Sequence, residues 1–424
     1  MKNRAHLILI GCLFGAATIC SAQMASLRPV AAQGQSGASL VPAAQETTTR
    51  SPVTIPFELV NRHILLKVKV NNSPALSFVL DTGDKFAIID LERARALGLN
   101  LQGKVNVGGA GAGSSAGAFV RDANFTISGL ESFSQPVTLA LPIGTLSSRL
   151  GQDFDGIIGS QFIEQFVVEV DYQTQTLKLY DKDKFTYSGS GEILPIKLNA
   201  AGHPEIDAEV TPLGSAPIQG KFVVDLGSSL ALALYSPFVR EHKLLESNLK
   251  TIRGLGGAGA GGATKGQIGR VAELRIGKFK INQPLTFFSE DNAGALAINS
   301  VLGNIGAQIM NRFKVLLDYN HQRIILEPNS RFGAPYDRSF AGFSVEAEGA
   351  DYRTFRITQI LENSPASEAQ LQSDDVITAV NGKPAAQFTL SALNEMLERA
   401  ATYKLTVRRK DQTLNVTLRT RRLV

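Results

Sequence analysis

From Val53 onward, hydrophobic residues fall in short runs separated by Gly, Asn, Asp and Pro. Such runs, bounded by turn residues, predict strands more often than helices. The clearest are Ile64 to Val70, Leu76 to Leu80, Ala118 to Ile127, Phe166 to Tyr172 and Leu177 to Tyr180. Two stretches, Asp90 to Leu97 and Ser160 to Phe166, predict short helices. The same layout returns between Ile193 and Pro328, so the pattern predicts two β-rich units built from many short strands. Beyond Pro328 it changes to a strand at Thr354 to Leu361, an amphipathic helix at Leu390 to Ala400, and strands at Lys404 to Arg408 and Thr413 to Leu418. Asn381-Gly382 is the favoured dipeptide of a two-residue hairpin turn.

The two β-rich units share more than layout. Phe78-Val79-Leu80-Asp81-Thr82-Gly83 is answered by Phe222-Val223-Val224-Asp225-Leu226-Gly227, displaced by 144 residues. GGAGAG at Gly108 to Gly113 recurs at Gly256 to Gly261, displaced by 148. IIGSQFIEQFVVEVDY from Ile157 corresponds to NIGAQIMNRFKVLLDY from Asn304, displaced by 147. Three ordered matches at a nearly constant offset identify a duplicated unit. Two such units bring Asp81 and Asp225 together across a pseudo-twofold axis.

Each of these aspartates ends an apolar run and is followed two residues later by glycine, which sets it on a tight turn facing a groove. Two carboxyls a few ångströms apart cannot both ionise and so share one proton. One then serves as general base toward a water, while the other, protonated, polarises a carbonyl. At these residues the chain resembles the aspartic peptidases of the pepsin and retropepsin class. Asp81-Thr82-Gly83 matches their Asp-Thr/Ser-Gly signature, and Ile157-Ile158-Gly159 their later apolar-apolar-Gly element, with Asn304-Ile305-Gly306 a looser copy. The resemblance implies catalytic roles for Asp81 and Asp225, with Thr82, Gly83, Gly227 and Ser228 supporting the active-site loops. It also implies two flaps, at Gly108, Gly109, Gly111 and Gly113 and at Gly256, Gly257, Gly259 and Gly261, mobile over the cleft. A flap in both halves is more like a fused retropepsin dimer than pepsin. Two residues depart from the class: Leu226 carries no hydroxyl to cross-link the loops, and Asp84 adds a third carboxylate.

The last region resembles a PDZ domain of the kind attached to exported bacterial proteases. Phe340-Ala341-Gly342-Phe343 stands where that family has its carboxylate-binding loop, and Asn363 to Gly382 matches its core, with Ser373-Asp374 replacing the usual Pro-Gly. The resemblance implies capture of an extended peptide beside the strand that starts at Phe343. A purely structural cap is the alternative. The free end, Leu423-Val424, is one candidate occupant of that groove.

Composition narrows the chemistry. Lys2 and Arg4, the apolar Leu7 to Ile19 and the small residues Cys20-Ser21-Ala22 read as a secretory signal, too short for a comfortable membrane span. Cys12 and Cys20 both lie in it, so the mature chain would have neither disulfides nor cysteine nucleophiles. The formal charge of +5 is small, and the basic C-terminal end lacks the interleaved aromatics of a nucleic-acid surface. The five histidines are too scattered for a metal motif, and most are expected on the surface. No Lys-Ser/Thr follows GGAGAG, which argues against phosphate binding.

The expectation is a mainly β chain: signal peptide 1–22, disordered linker 23–52, two pseudo-twofold-related retropepsin-like lobes at 53–184 and 190–330, and a PDZ domain at 338–424. The expected activity is that of an exported aspartic endopeptidase acting on extended polypeptides. Periplasmic or secreted, it would be monomeric, without metal or other cofactor, and bind no nucleic acid. A peptide-binding protein that uses the same cleft without hydrolysis is the alternative.

Overall fold

The computed structural model describes residues 52–246, 249–253, 257–334, 336 and 340–424. The expected signal peptide, the expected linker up to Ser51, and Gly256 of the second glycine run lie outside the described residues.

The protein is mainly β. Two ten-stranded sheets have the same strand order, one in each half of the duplication. At the centre of the first, Leu76–Leu80 lies parallel to Gly156–Ile158, with Val79 opposite Ile157. At the centre of the second, Ile218–Asp225 lies parallel to Gly303–Gly306, with Val223 opposite Asn304. Leu76–Leu80 and Gly156–Ile158 are buried at every position, which explains why their sequences are apolar throughout rather than alternating. His63–Val70 shows the other pattern, with Lys67 and Lys69 pointing outward from an otherwise buried strand.

A six-stranded sheet joins the halves. Its central pair, Phe166–Asp171 and Phe313–Asp318, is antiparallel with Val170 opposite Val315, and each half adds two further strands outside it. One hydrophobic core runs through this sheet into both lobes, from Ile55 and Phe78 to Phe222 and Leu326. Smaller cores lie above each lobe, around Val79, Ile88 and Ile157 in the first and Val223, Ile268 and Phe287 in the second.

Boundaries differ from expectation where a local turn intervenes. The run Ala118 to Ile127 is two strands, Ser114–Arg121 and Phe125–Ile127, because Asp122 takes a left-handed conformation (φ 57°) between them. The helix expected from Ser160 stops at Ile163, since the chain must turn into the strand beginning at Phe166. The helix Leu91–Ala96 is capped by Asp90, whose carboxylate accepts from the Glu92 and Arg93 N–H groups.

The C-terminal domain is a sheet in which Phe343–Glu348 forms one edge, paired among the described residues only with Thr354–Ile360. Asn381 and Gly382 both have positive φ (50° and 78°), as the hairpin joining Val376–Val380 to Lys383–Pro384 requires. The helix Leu390–Leu397 ends one turn earlier than its apolar pattern suggested.

Candidate active site

The duplicated strands deliver Asp81 and Asp225 to the same point, and both are buried. Asp81 Oδ1 accepts from the Gly83 N–H at 2.7 Å, and Asp225 Oδ1 from the Ser228 N–H at 2.9 Å. The glycines of the two turns cross under the opposite carboxyl. A Cβ on Gly227 would lie 2.0 Å from Asp81 Cγ, and one on Gly83 would lie 2.9 Å from Asp225 Oδ1. No side chain fits at either position, so glycine is obligatory for the carboxyls to meet.

Thr82 ties the two loops together. Its hydroxyl donates to the Val224 carbonyl at 2.7 Å and accepts from the Leu226 N–H at 2.9 Å. Leu226 makes no reciprocal link and turns into the main core instead. The junction is therefore cross-linked from one side.

The pair is asymmetric in a second way. Asp225 Oδ2 accepts from Asn304 Nδ2 at 2.8 Å, whereas Asp81 Oδ2 has no donor among the described residues although it is buried. Burial is the largest influence on both carboxyls and raises both above the usual range. For Asp81 the charges of Asp225 and then Asp84 add to that rise. For Asp225, whose pKa reaches about 7, hydrogen bonds from Asn304 first, then Ser228, Asp81 and the Gly227 backbone oppose it. Asp84, at the position equivalent to Ser228, is buried rather than turned to solvent. Burial and the charge of Asp225 lift it to about 7.

Two histidines also belong to this region, contrary to the expectation of a surface location. His242 and His321 are exposed, but His63 and His203 are buried. The His63 ring bonds the Gly227 backbone, and His203 lies near Lys85, so each approaches the aspartate-bearing loop of the other lobe. Desolvation lowers both to about 4, so they are neutral props at physiological pH. The positions of His63, which opens the strand paired with the one leading to Asp81, and of His203, just before the strand paired with the one that ends at Asp225, were the available signal.

The glycine-rich runs are hairpin tips that meet one another. Gly113 N–H donates to the Gly261 carbonyl at 2.8 Å, and Ser115 Oγ to the Ala260 carbonyl at 2.8 Å. Gly109 accepts from the Ala295 N–H at 3.0 Å. Gly108 leads into the first tip, Gly111 packs against Gly261, and Gly257 and Gly259 lie in the second hairpin. The tips are interlocked in a closed arrangement. Among the described residues, no three His, Cys, Asp or Glu side chains are grouped to hold a metal.

In the C-terminal domain, Phe340, Ala341, Gly342 and Phe343 are brought together at the start of the edge strand. The Phe340 N–H is taken by the Arg421 carbonyl, and Gly342 turns with φ 86°. The open edge of Phe343–Glu348 faces the first lobe. The helix Ser147–Leu150 packs on it, with Arg149 paired to Glu346 at 3.0 Å and Gly151 against Leu390. Asn61 donates to the Leu150 carbonyl and receives from Asn394, and Arg62 pairs with Glu398 at 2.6 Å. Leu423 and Val424 do not enter that groove. They are buried with Phe340 against Ile268 and Phe287 of the second lobe, where Arg270 donates to the Val424 carbonyl. Burial of these apolar side chains against the lobe favours the seat they take.

Family comparison agrees with these two architectures. An aspartyl protease family model matches residues 66–162, and a PDZ domain model matches residues 332–408. The chain thus carries a retropepsin-like aspartyl protease domain and a PDZ domain. A search of curated proteins gives no match.

Proposed function

We propose that this protease-like protein is an exported aspartic endopeptidase, hydrolysing extended polypeptides with water activated between Asp81 and Asp225. The observation that carries the reading is the meeting of two equivalent aspartates in a buried site where Asp81 Oδ2 has no donor. A buried, donorless carboxylate oxygen beside a second carboxylate is stabilised by a proton held between them. With one proton on the pair, the ionised carboxylate takes a proton from water as its oxygen adds to the scissile carbonyl carbon. The protonated member gives its proton to the carbonyl oxygen, forming a gem-diol. On collapse, the first carboxyl protonates the leaving nitrogen as the C–N bond breaks, and one diol hydroxyl returns a proton to the second. The pair ends as it began.

One chain supplies both aspartates, so a monomer contains a whole site. The interlocked tips must part for a substrate to enter, as lids do in other enzymes. Export is supported by the signal-like residues Lys2 to Ala22. The PDZ domain offers a second peptide site, on an edge that now faces the first lobe. A peptide-binding protein without hydrolysis is the competing reading, favoured by Leu226 and the extra carboxyl of Asp84. The two are separated by incubating the mature protein with an unfolded polypeptide across pH 3 to 8. New chain ends whose formation is blocked by a peptide mimic with a hydroxyl at the scissile position support hydrolysis. Tight binding of the mimic without any cleavage favours the competing reading.

A further inference from the structure

The strand Gly303–Gly306 lies where Gly156–Ile158 lies in the first half, and Asn304 occupies the place of Ile157. Ile157 belongs to an apolar cluster with Val79 and Ile88. Asn304 sits between Val223 and Ala233, an equally apolar setting, yet carries a buried amide. An amide in such a place costs free energy unless it is bonded. Its Nδ2 is spent on Asp225 Oδ2 at 2.8 Å, while its Oδ1 has no partner among the described residues. The arrangement is therefore one-sided: a donor to Asp225, and no equivalent donor to Asp81.

We propose that Asn304 is the positioning residue that sets the roles of the two carboxyls, holding Asp225 ionised as the base and leaving Asp81 as the protonated acid. This rests on the hydrolytic reading of the pair. A hydrogen bond donated to a carboxylate favours its charged form, and a second bond from the Ser228 N–H acts in the same direction. Among the described residues Asp81 receives the Gly83 N–H, on Oδ1, and its interaction with the Asp225 carboxyl favours its neutral form, so its other oxygen takes the proton. The duplication by itself would make the two carboxyls equivalent. Asn304 on the Asp225 side, together with the Asp84 charge that raises Asp81, removes that equivalence, so water approaches with one fixed acceptor.

The titratable groups around Asp225 are Asp81, Asp84 and His63, whose ring bonds Gly227; Tyr319 lies within electrostatic reach of Asp81. His63 is neutral above pH of about 4, and Tyr319 stays protonated throughout the working range. Asp84 is the one group that titrates in the same range as Asp225, so the test is run in both wild-type and Asp84→Asn backgrounds.

The experiment replaces Asn304 by Ile, the residue of the first half, and reads two quantities. One is the pH profile of kcat/KM, and the other is the titration of Asp225 followed by carbon-13 NMR of carboxyl-labelled aspartate. The acid limb and the Asp225 titration should both move up by about one pH unit, a roughly tenfold loss of kcat/KM at a fixed pH on that limb. Asn304→Ala, which removes the amide without adding bulk, carries the same expectation if the Ile variant does not fold. An Asp225 titration unmoved in the folded variant, or an Asp81 that ionises before Asp225 in the wild type, overturns the proposal. If the titration moves but the wild type cleaves nothing, the hydrolytic reading fails while the action of Asn304 on Asp225 stands.

Discussion

Asp84 gives a prediction whose sign and size follow from its surroundings. It is buried, one of its oxygens has no donor, and its pKa rises from 3.8 to about 7 through burial and the charge of Asp225. Below pH of about 4 it is protonated in both folded and unfolded chains and contributes no pH-dependent cost. Between about 4 and 7 the unfolded chain releases a proton that the folded chain keeps, so stability falls as pH rises, and levels off above about 7. A displacement of about three pH units corresponds to ~4 kcal/mol at ~1.4 kcal/mol each. That is a ceiling, because Asp225 shares the same repulsion. Asn has the same shape without the charge. Asp84→Asn should therefore match the wild type at pH 4 and gain progressively, by up to ~4 kcal/mol, toward pH 8. Urea unfolding at pH 4, 6 and 8 measures this directly. A constant difference at all three, or a variant less stable at pH 8, would show that Asp84 is not held neutral by its surroundings. The same substitution removes a charge that holds Asp81 up, so the basic limb of the activity profile should move to lower pH.

Three other perturbations test separate parts of the account. Thr82→Val leaves the Val224 carbonyl and the Leu226 N–H buried without their partner, and should cost about 2–4 kcal/mol in chemical unfolding; no loss would show that the lobes do not depend on this tie. Gly111→Ala places a Cβ 2.5 Å from the Gly261 carbonyl at a φ of +91°, so it should part the tips and speed hydrogen exchange at 108–113 and 257–261. Unchanged exchange there would contradict the interlock. Arg149→Glu sets two like charges against each other at Glu346, and should increase exchange at 147–152 and 388–396 and tighten binding of extended peptides to the PDZ domain. If neither changes, the docking of this helix does not cover the peptide edge.

The duplication and the meeting of Asp81 with Asp225 were legible because glycine and aspartate at fixed offsets mark backbone turns, which leave a local signature. The strands Leu76–Leu80 and His63–Val70 were legible because burial on two faces or one writes a continuous or alternating pattern. Asn304 left a trace, a polar residue in an otherwise apolar element, but its partner lies 79 positions away in sequence and only folding brings them together. His63 and His203 read as ordinary polar residues because nothing local distinguishes a buried, bonded ring from an exposed one. The seat of Leu423 and Val424 depended on a tertiary hydrophobic surface assembled from Ile268 and Phe287, which no short pattern encodes. Likewise, Arg149 and Glu346 are adjacent only because two domains dock.

Whether the two aspartates together form a hydrolytic site is decided by cleavage of an unfolded polypeptide by the wild type, Asp81→Asn and Asp225→Asn at matched, verified folding. Loss of either carboxyl removes the shared proton or its acceptor, so both variants should lose hydrolysis by several orders of magnitude while still binding a hydroxyl-bearing peptide mimic. Turnover retained in either variant would contradict a site made from the two aspartates.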